Sequence, residues 1–331
     1  MFPTYPFRAF IRPAIGLLGS LLILEAGLRT KLPNRLLPQP SPYYSEAVLL
    51  RDKTLSAFKK NVGEPEVVVI GSSVAYTNVN AEILGKGLGK RAFCLGLPAL
   101  APGSVLQYWQ NHWKAMVPEA RTVILVLRAN DVLTSYDPKD DSKLMGSRIE
   151  RGWTDPSEVS IVDRPGVPSL RIRDYYGALS KSISASRKPL VGTSFWNTDF
   201  GNQLQDGKMS SGEADGIRAN PRYTSEALPE LATKTNWLNI LQNLKAQVNG
   251  RFLVVYSPDF GGAWPSPADA ERWGAEICRS LNTVGIETVA PLLNDRTFNF
   301  TVTNYEDIAH LHQDAAAQFT EALVQELKRT Q

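Results

Sequence analysis

The sequence predicts an α/β body built on a doubly wound, mostly parallel five-stranded sheet. Three observations predict it. Short apolar, β-branched runs recur along the chain and stop abruptly at Gly, Ser, Asn or Asp, as strands buried on both faces do. Stretches of helical period lie between them. Strand and helix therefore alternate, which within one sheet implies crossover connections and parallel strands.

In chain order the strands are predicted at 67–70 (Val-Val-Val-Ile), ending at Gly71-Ser72-Ser73; at 92–95, ending at Gly96; at 123–127, ending at Arg128-Ala129-Asn130-Asp131; at 252–256, ending at Ser257-Pro258-Asp259; and, more weakly, at 287–289. Helices are predicted over 104–116, 227–248, 267–284 and 313–329, the last carrying Ala316, Phe319, Leu323 and Leu327 along one face. The alternation lapses from 133 to about 226, a stretch rich in Asp, Ser, Gly and Pro with scattered Trp153, Tyr175, Tyr176, Phe195 and Trp196. A segment that long without period reads as an insertion or functional cap. The run Gly85-Lys86-Gly87-Leu88-Gly89-Lys90 matches neither phosphate-loop nor dinucleotide spacing and reads as a turn.

The 331 residues suit one large α/β domain with insertions, or two compact ones. Two cysteines exclude a disulfide scaffold and a multi-cysteine metal site. The net charge is +3, but the first 60 residues hold nine Lys/Arg against three Asp/Glu, so the remainder is −3. A slightly acidic body excludes nucleic acid as a partner. The basic excess flanks an apolar run, residues 14–24, with Arg8 and Arg12 before it and Arg29, Lys31 and Arg35 after it. Sixteen residues separate Arg12 from Arg29, fewer than the roughly 20 that span a bilayer, although both arginines can snorkel. Residues 1–30 thus read as a signal-anchor helix holding the protein to the lipid bilayer; a cleaved signal peptide and a soluble helix are the other readings. With the anchor in place, the body lies outside the cytoplasm, periplasmic or at the cell surface. Residues 31–61, with Pro33, Pro38, Pro40 and Pro42 close together, read as a Pro-rich linker, and the body as 62–331.

Functional loops of a doubly wound sheet gather at the carboxyl ends of its strands, which points to Ser72/Ser73, Gly96 and Asn130/Asp131. Near the C-terminus, Asp307-Ile308-Ala309-His310 places a carboxylate and an imidazole three residues apart, on one side of a single helical turn. A serine, a histidine and an aspartate can supply a nucleophile, its base and an orienting group. Among the three histidines, His112 lies between Trp109 and Trp113 and reads as packing, while His312 could form a metal site with Asp307, His310 and Asp314. No cofactor or metal is otherwise called for. Ser72 and Ser73 both remain open as nucleophile, or as caps of the following helix.

Gly71-Ser72-Ser73 after the first strand, Gly96 after the second, Asn130 after the third and Asp307-x-x-His310 near the end together resemble the SGNH/GDSL hydrolase superfamily. The likeness is to its membrane-anchored, cell-envelope branch, which includes alginate O-acetyltransferase-like and lipoteichoic-acid D-alanylation proteins. The resemblance implies a sheet in flavodoxin-like strand order and Ser73 as nucleophile with His310 and Asp307. It also implies an oxyanion hole formed by the Ser73 amide, Gly96 and Asn130. It further implies an extracytoplasmic serine esterase or O-acyltransferase acting on an acyl ester of an envelope glycan, with a membrane protein as possible acyl donor. Cys94 and Cys278, at opposite ends of such a sheet, are expected as free thiols. Two positions depart from the pattern: Arg128 stands where the third motif has Gly, and Cys94 where the second often has Asn. Arg128 either crowds the strand end or offers a cation to an acidic substrate, and it motivates the alternative of a non-catalytic module that binds a glycan or a partner.

Overall fold

The computed structural model describes residues 46–98, 100, 102–133, 198–223, 236–257, 259–290 and 300–330, with parts of 16–23. The chain divides into two units, Met1–Leu49 with Ser147–Lys188, and Leu50–Gly146 with Pro189–Gln331. In the first, the described residues of 16–23 are helical, and Leu17, Leu22 and Ile23 are each more than half exposed. No helix among the described residues is long and apolar enough to cross a membrane; most of the expected anchor lies outside them, as do Trp153, Tyr175, Tyr176, Phe195 and Trp196.

The second unit is an α/β body around five strands: β1 (Val67–Gly71), β2 (Ala92–Cys94), β3 (Thr122–Leu127), β4 (Arg251–Tyr256) and β5 (Glu287–Val289). Their order is β2-β1-β3-β4-β5 and every pairing is parallel. This is the doubly wound order with its switch point between β1 and β3. The continuous apolar runs are explained by burial: every residue of β1, β2 and β3 is covered, so neither face needs polar alternation.

The body begins earlier than residue 62. The stretch expected to be linker contains a helix, α1 (Glu46–Asn61), with Val48, Arg51, Leu55 and Phe58 buried along one stripe. It runs antiparallel to the strands: Arg51 reaches the Gly96 carbonyl beyond β2, while Lys59, two turns later, reaches the Met116 carbonyl ahead of β3.

After β1 come α2 (Ser73–Asn78) and α3 (Ala81–Leu88), and after β2 comes α4 (Pro102–Tyr108), which continues through a π-helical turn, Trp109–Trp113, to Met116. A short α5 (Ala129–Leu133) follows β3; α6 (Ser211–Ala219) and α7 (Asn236–Gln247) precede β4; α8 (Pro267–Thr283) and α9 (Gln313–Arg329) flank β5. The glycine-rich run expected as a turn is largely helical. Gly87 in α3 faces α9, where a Cβ would stand 2.7 Å from Val324, and Gly89, at φ +64°, closes the helix. Close packing and a left-handed cap account for two of its glycines.

Of the expected insertion, the described part (198–223) is tied into the body. Asn202, buried, accepts from the Ala81 amide and donates to the carbonyls of Tyr76 and Val79, and the Phe200 carbonyl accepts from the Cys94 amide on the β2 edge. Cys94 and Cys278 are free thiols on β2 and α8, at opposite sides of the sheet.

Candidate active site

The carboxyl end of β1 requires a residue without a side chain. Gly71 has φ +140°, and a Cβ there would stand 2.7 Å from the Val126 carbonyl oxygen. That conformation turns the chain sharply into α2 and sets Ser72 and Ser73 at the strand tip. The two serines diverge. Ser72 is buried and its hydroxyl faces Asp131, at 3.5 Å, making no cap bond to the helix. Ser73 is half-buried and its Oγ lies 2.7 Å from His310 Nε2.

His310 comes from the segment between β5 and α9. Its Nδ1 lies 2.6 Å from Asp307 Oδ2, while Asp307 Oδ1 accepts from the amides of Ala309, at 2.8 Å, and His310, at 2.9 Å. Asp307 and His310 were expected on one helical turn, but 306–309 is a bend closed by a Tyr305–Leu311 bridge. A carboxylate that binds amides two and three residues ahead reproduces the reach of a helical turn without a helix. Burial pushes the Asp307 carboxyl up, but the imidazole and the two amides outweigh it and hold the group at about 2. A carboxylate so held favours the Nδ1–H tautomer, leaving Nε2 to accept the Ser73 hydroxyl proton.

The loop is fastened to α2 by Asn78, which the sequence did not single out. Asn78 is fully buried. Its Nδ2 donates to the Ala309 carbonyl at 2.9 Å and to Ser257 Oγ at 2.8 Å. Its Oδ1 accepts from the Leu311 amide at 2.9 Å and from Thr77 Oγ1 at 2.8 Å.

Gly96 lies against the same turn: a Cβ there would stand 2.9 Å from Ala75 Cβ and 3.2 Å from the Ser72 carbonyl. Its carbonyl accepts from Arg51, and its amide faces the buried Cys94 thiol, whose pKa is raised by burial despite that contact and the Arg51 charge. Asn130 is half-buried in the first turn of α5, directly after β3.

Arg128 fills the place where glycine was expected with a buried ionic cluster. Its guanidinium lies 3.6 Å from Asp131 and 3.5 Å from Asp259, and its amide donates to Asp131 at 3.1 Å. Tyr223 donates to Asp259 at 2.6 Å. Burial raises the Asp131 carboxyl to about 6 despite Arg128, and raises Asp259 as well. His112 bonds Asp52 at 2.9 Å, and His312, buried, caps α9 by accepting from the Asp314 amide at 3.3 Å. Among the described residues no group of three His, Cys, Asp or Glu could hold a metal ion.

A search for related proteins returned no matching family model and no matching curated protein. Solved structures are similar at a distance. One, described as a candidate platelet activating factor from Streptococcus pneumonia, aligns over 85% of this chain and 92% of its own at 10% identity, with a TM-score of 0.43. Another, the lipase Lip_vut3 from a goat rumen metagenome, aligns over 80% and 95% at 12% identity, with a TM-score of 0.31. At that identity and TM-score neither likeness carries an activity to this chain.

Proposed function

We propose that this protein is a serine esterase or O-acyltransferase of the SGNH type, with Ser73 as nucleophile, His310 as base and Asp307 as its orienting carboxylate. The observation that carries the reading is the unbroken relay from Ser73 Oγ through His310, at 2.7 and 2.6 Å, to Asp307. Ser73 Oγ attacks the ester carbonyl as His310 Nε2 takes its proton, and Asp307 stabilises the imidazolium. The oxyanion is met by the Ser73 amide and by Asn130; Gly96, expected as a third contributor, has its amide turned to the Cys94 thiol and serves instead by lacking a side chain beside the Ser73 turn. Collapse expels the alcohol, protonated by His310, and leaves an acyl-enzyme. Water or a sugar hydroxyl, activated by the same imidazole, then takes the acyl group.

In this reading the N-terminal segment anchors the body at the bilayer on the extracytoplasmic side, the substrate is an acylated envelope glycan, and a membrane protein can supply the acyl group. The exposed apolar side chains at Leu17, Leu22 and Ile23 support the anchor. A fluorophosphonate probe tests the chemistry. Labelling is expected in the wild type and in Ser72→Ala and absent in Ser73→Ala, with turnover of a short acyl ester falling at least ~10³-fold in Ser73→Ala. Labelling that survives Ser73→Ala refutes the assignment, and extraction of the full chain by carbonate refutes the anchor.

A further inference from the structure

We infer that Asn78 is a positioning residue that sets the distance between Ser73 and His310, an inference resting on the proposal that those two groups carry the chemistry. Ser73 and Asn78 are the first and last residues of α2. From that one rigid turn-and-a-half, the hydroxyl meets the imidazole directly. The Asn78 amide grips the backbone on both sides of it, at the Ala309 carbonyl and the Leu311 amide.

The grip is directional. Nδ2 donates toward residue 309 and Oδ1 accepts from residue 311, so the amide reads the chain direction of the segment that carries His310 and fixes its position against α2. Nδ2 is itself braced by Ser257 after β4, and Oδ1 by Thr77. The Thr77 hydroxyl also lies 3.0 Å from the Ser73 carbonyl, so its one proton is shared between that carbonyl and Asn78 Oδ1. The bonds link the carboxyl end of β4, the histidine loop and the serine helix into one network with every polar atom of the Asn78 side chain used. Within its own loop, His310 is held by Asp307 and, at its carbonyl, by the Glu306 amide, neighbours that travel with it. Asp307 orients the ring; Asn78, bonded on both sides of His310, locates it against α2, while the Phe260 amide holds the loop further back, at the Ile308 carbonyl. Without Asn78 the imidazole keeps its carboxylate and loses its fixed approach to Ser73.

Asn202 provides a matched control. It is equally buried and its side chain makes three bonds to the same region, at Tyr76, Val79 and Ala81, none of which reaches the histidine loop. The full-length chain is assayed with p-nitrophenyl acetate and with a fluorophosphonate probe, and rates are expressed per folded molecule. Asn78→Ala is expected to lower kcat and the labelling rate by ~10²-fold, the effect of an ångström-scale misplacement, with KM within about 3-fold of wild type. Asn78→Asp keeps the acceptor for Leu311 and loses the donor to Ala309, so its kcat should fall between the two. Asn202→Ala should lower Tm comparably but keep kcat within about 3-fold.

Wild-type kcat in Asn78→Ala, or an equal kcat loss in Asn202→Ala, overturns the inference. Failure of both Asn78 variants to fold overturns it too, since Asn78 is then a core residue with no separate part in geometry. Ser73→Ala separates the two levels: full activity there sinks the serine mechanism itself, whereas an inactive Ser73→Ala beside an active Asn78→Ala sinks only the positioning role.

Discussion

Arg51 offers the sharpest test of where the folded body begins. It lies on α1, sixteen residues before β1, and is fully buried. Its guanidinium donates to three carbonyls: Cys94 at 2.7 Å, Gly96 at 2.5 Å, and Gly201. The rings of Tyr76 and Phe93 lie 5.9 and 6.0 Å from its carbon centre. Arg51→Met keeps most of the stem volume and removes every donor. Each carbonyl stranded away from water costs ~1–3 kcal/mol, or roughly 3–9 kcal/mol for three. Against that stands relief from burying a charge: desolvation lowers the Arg51 pKa to about 10, and each unit of such a shift is worth ~1.4 kcal/mol. Set against the middle of that range, the relief of about 3.5 kcal/mol leaves a loss of about 2–3 kcal/mol, a sizeable part of the ~5–15 kcal/mol that holds a domain together. Urea unfolding of the full-length chain should show a lower midpoint at unchanged slope. A chain cut to start at residue 62 should lose at least as much, because α1 leaves with Arg51. A midpoint for Arg51→Met indistinguishable from wild type would refute the reasoning, since it would mean that those carbonyls find other donors or water.

Two further perturbations follow from the site. Gly71→Ala sets a Cβ against the Val126 carbonyl at a positive φ, so a stability loss of ~1–3 kcal/mol should appear in thermal unfolding together with loss of labelling at Ser73. Asp307 links stability to pH. Its folded-state value, about 2, lies below the ~3.9 of a free carboxyl. Its contribution is therefore present above pH ~4 and fades as pH falls toward 2. Because its side chain is half-exposed, solvent reduces the size of the effect. Asp307→Asn should lower Tm at pH 6 and converge on wild type near pH 2, and a constant difference across that range would contradict the assignment.

The elements legible in the sequence are those whose signal is local. A strand covered on both faces must be apolar throughout, so 67–70, 123–127 and 252–256 could be read directly. The face of α9 carrying Ala316, Phe319, Leu323 and Leu327 was readable for the same reason and is buried as expected. The serine pair 72–73, Asp307 and His310 were legible because two short motifs lie at element ends, but which serine faces the imidazole rests on the fold. Helix α1 was not legible, because its buried stripe runs Val48, Arg51, Leu55, Phe58. A cation in the middle of the apolar face cancels the periodic signal unless three carbonyls from elsewhere in the chain are known to await it. Asn78 was illegible in the same way. Its partners lie 179 to 233 residues away, apart from Thr77, and a polar residue at the end of a short helix carries no mark of them.

Arg128 shows how such distant partners change the meaning of a motif. Alone, it suggests either a spoiled strand end or a cation for an acidic substrate, and from there a binding module without catalysis. Its surroundings argue otherwise. Asp131 and Asp259 bracket the guanidinium from α5 and from the loop after β4, so its charge is largely met inside the protein. Both carboxyls titrate high because burial costs them their charge, an arrangement that needs the arginine as counter-ion. The strand end is not crowded either, since Asp131 accepts the Arg128 amide and starts α5 at the place where the chain must turn. The arginine thus replaces the missing glycine with an ion-paired buried cluster beside Ser72, leaving the approach of Ser73 to His310 intact. Ser73 Oγ and His310 Nε2 lie 2.7 Å apart, the direct contact that the proposed proton transfer requires.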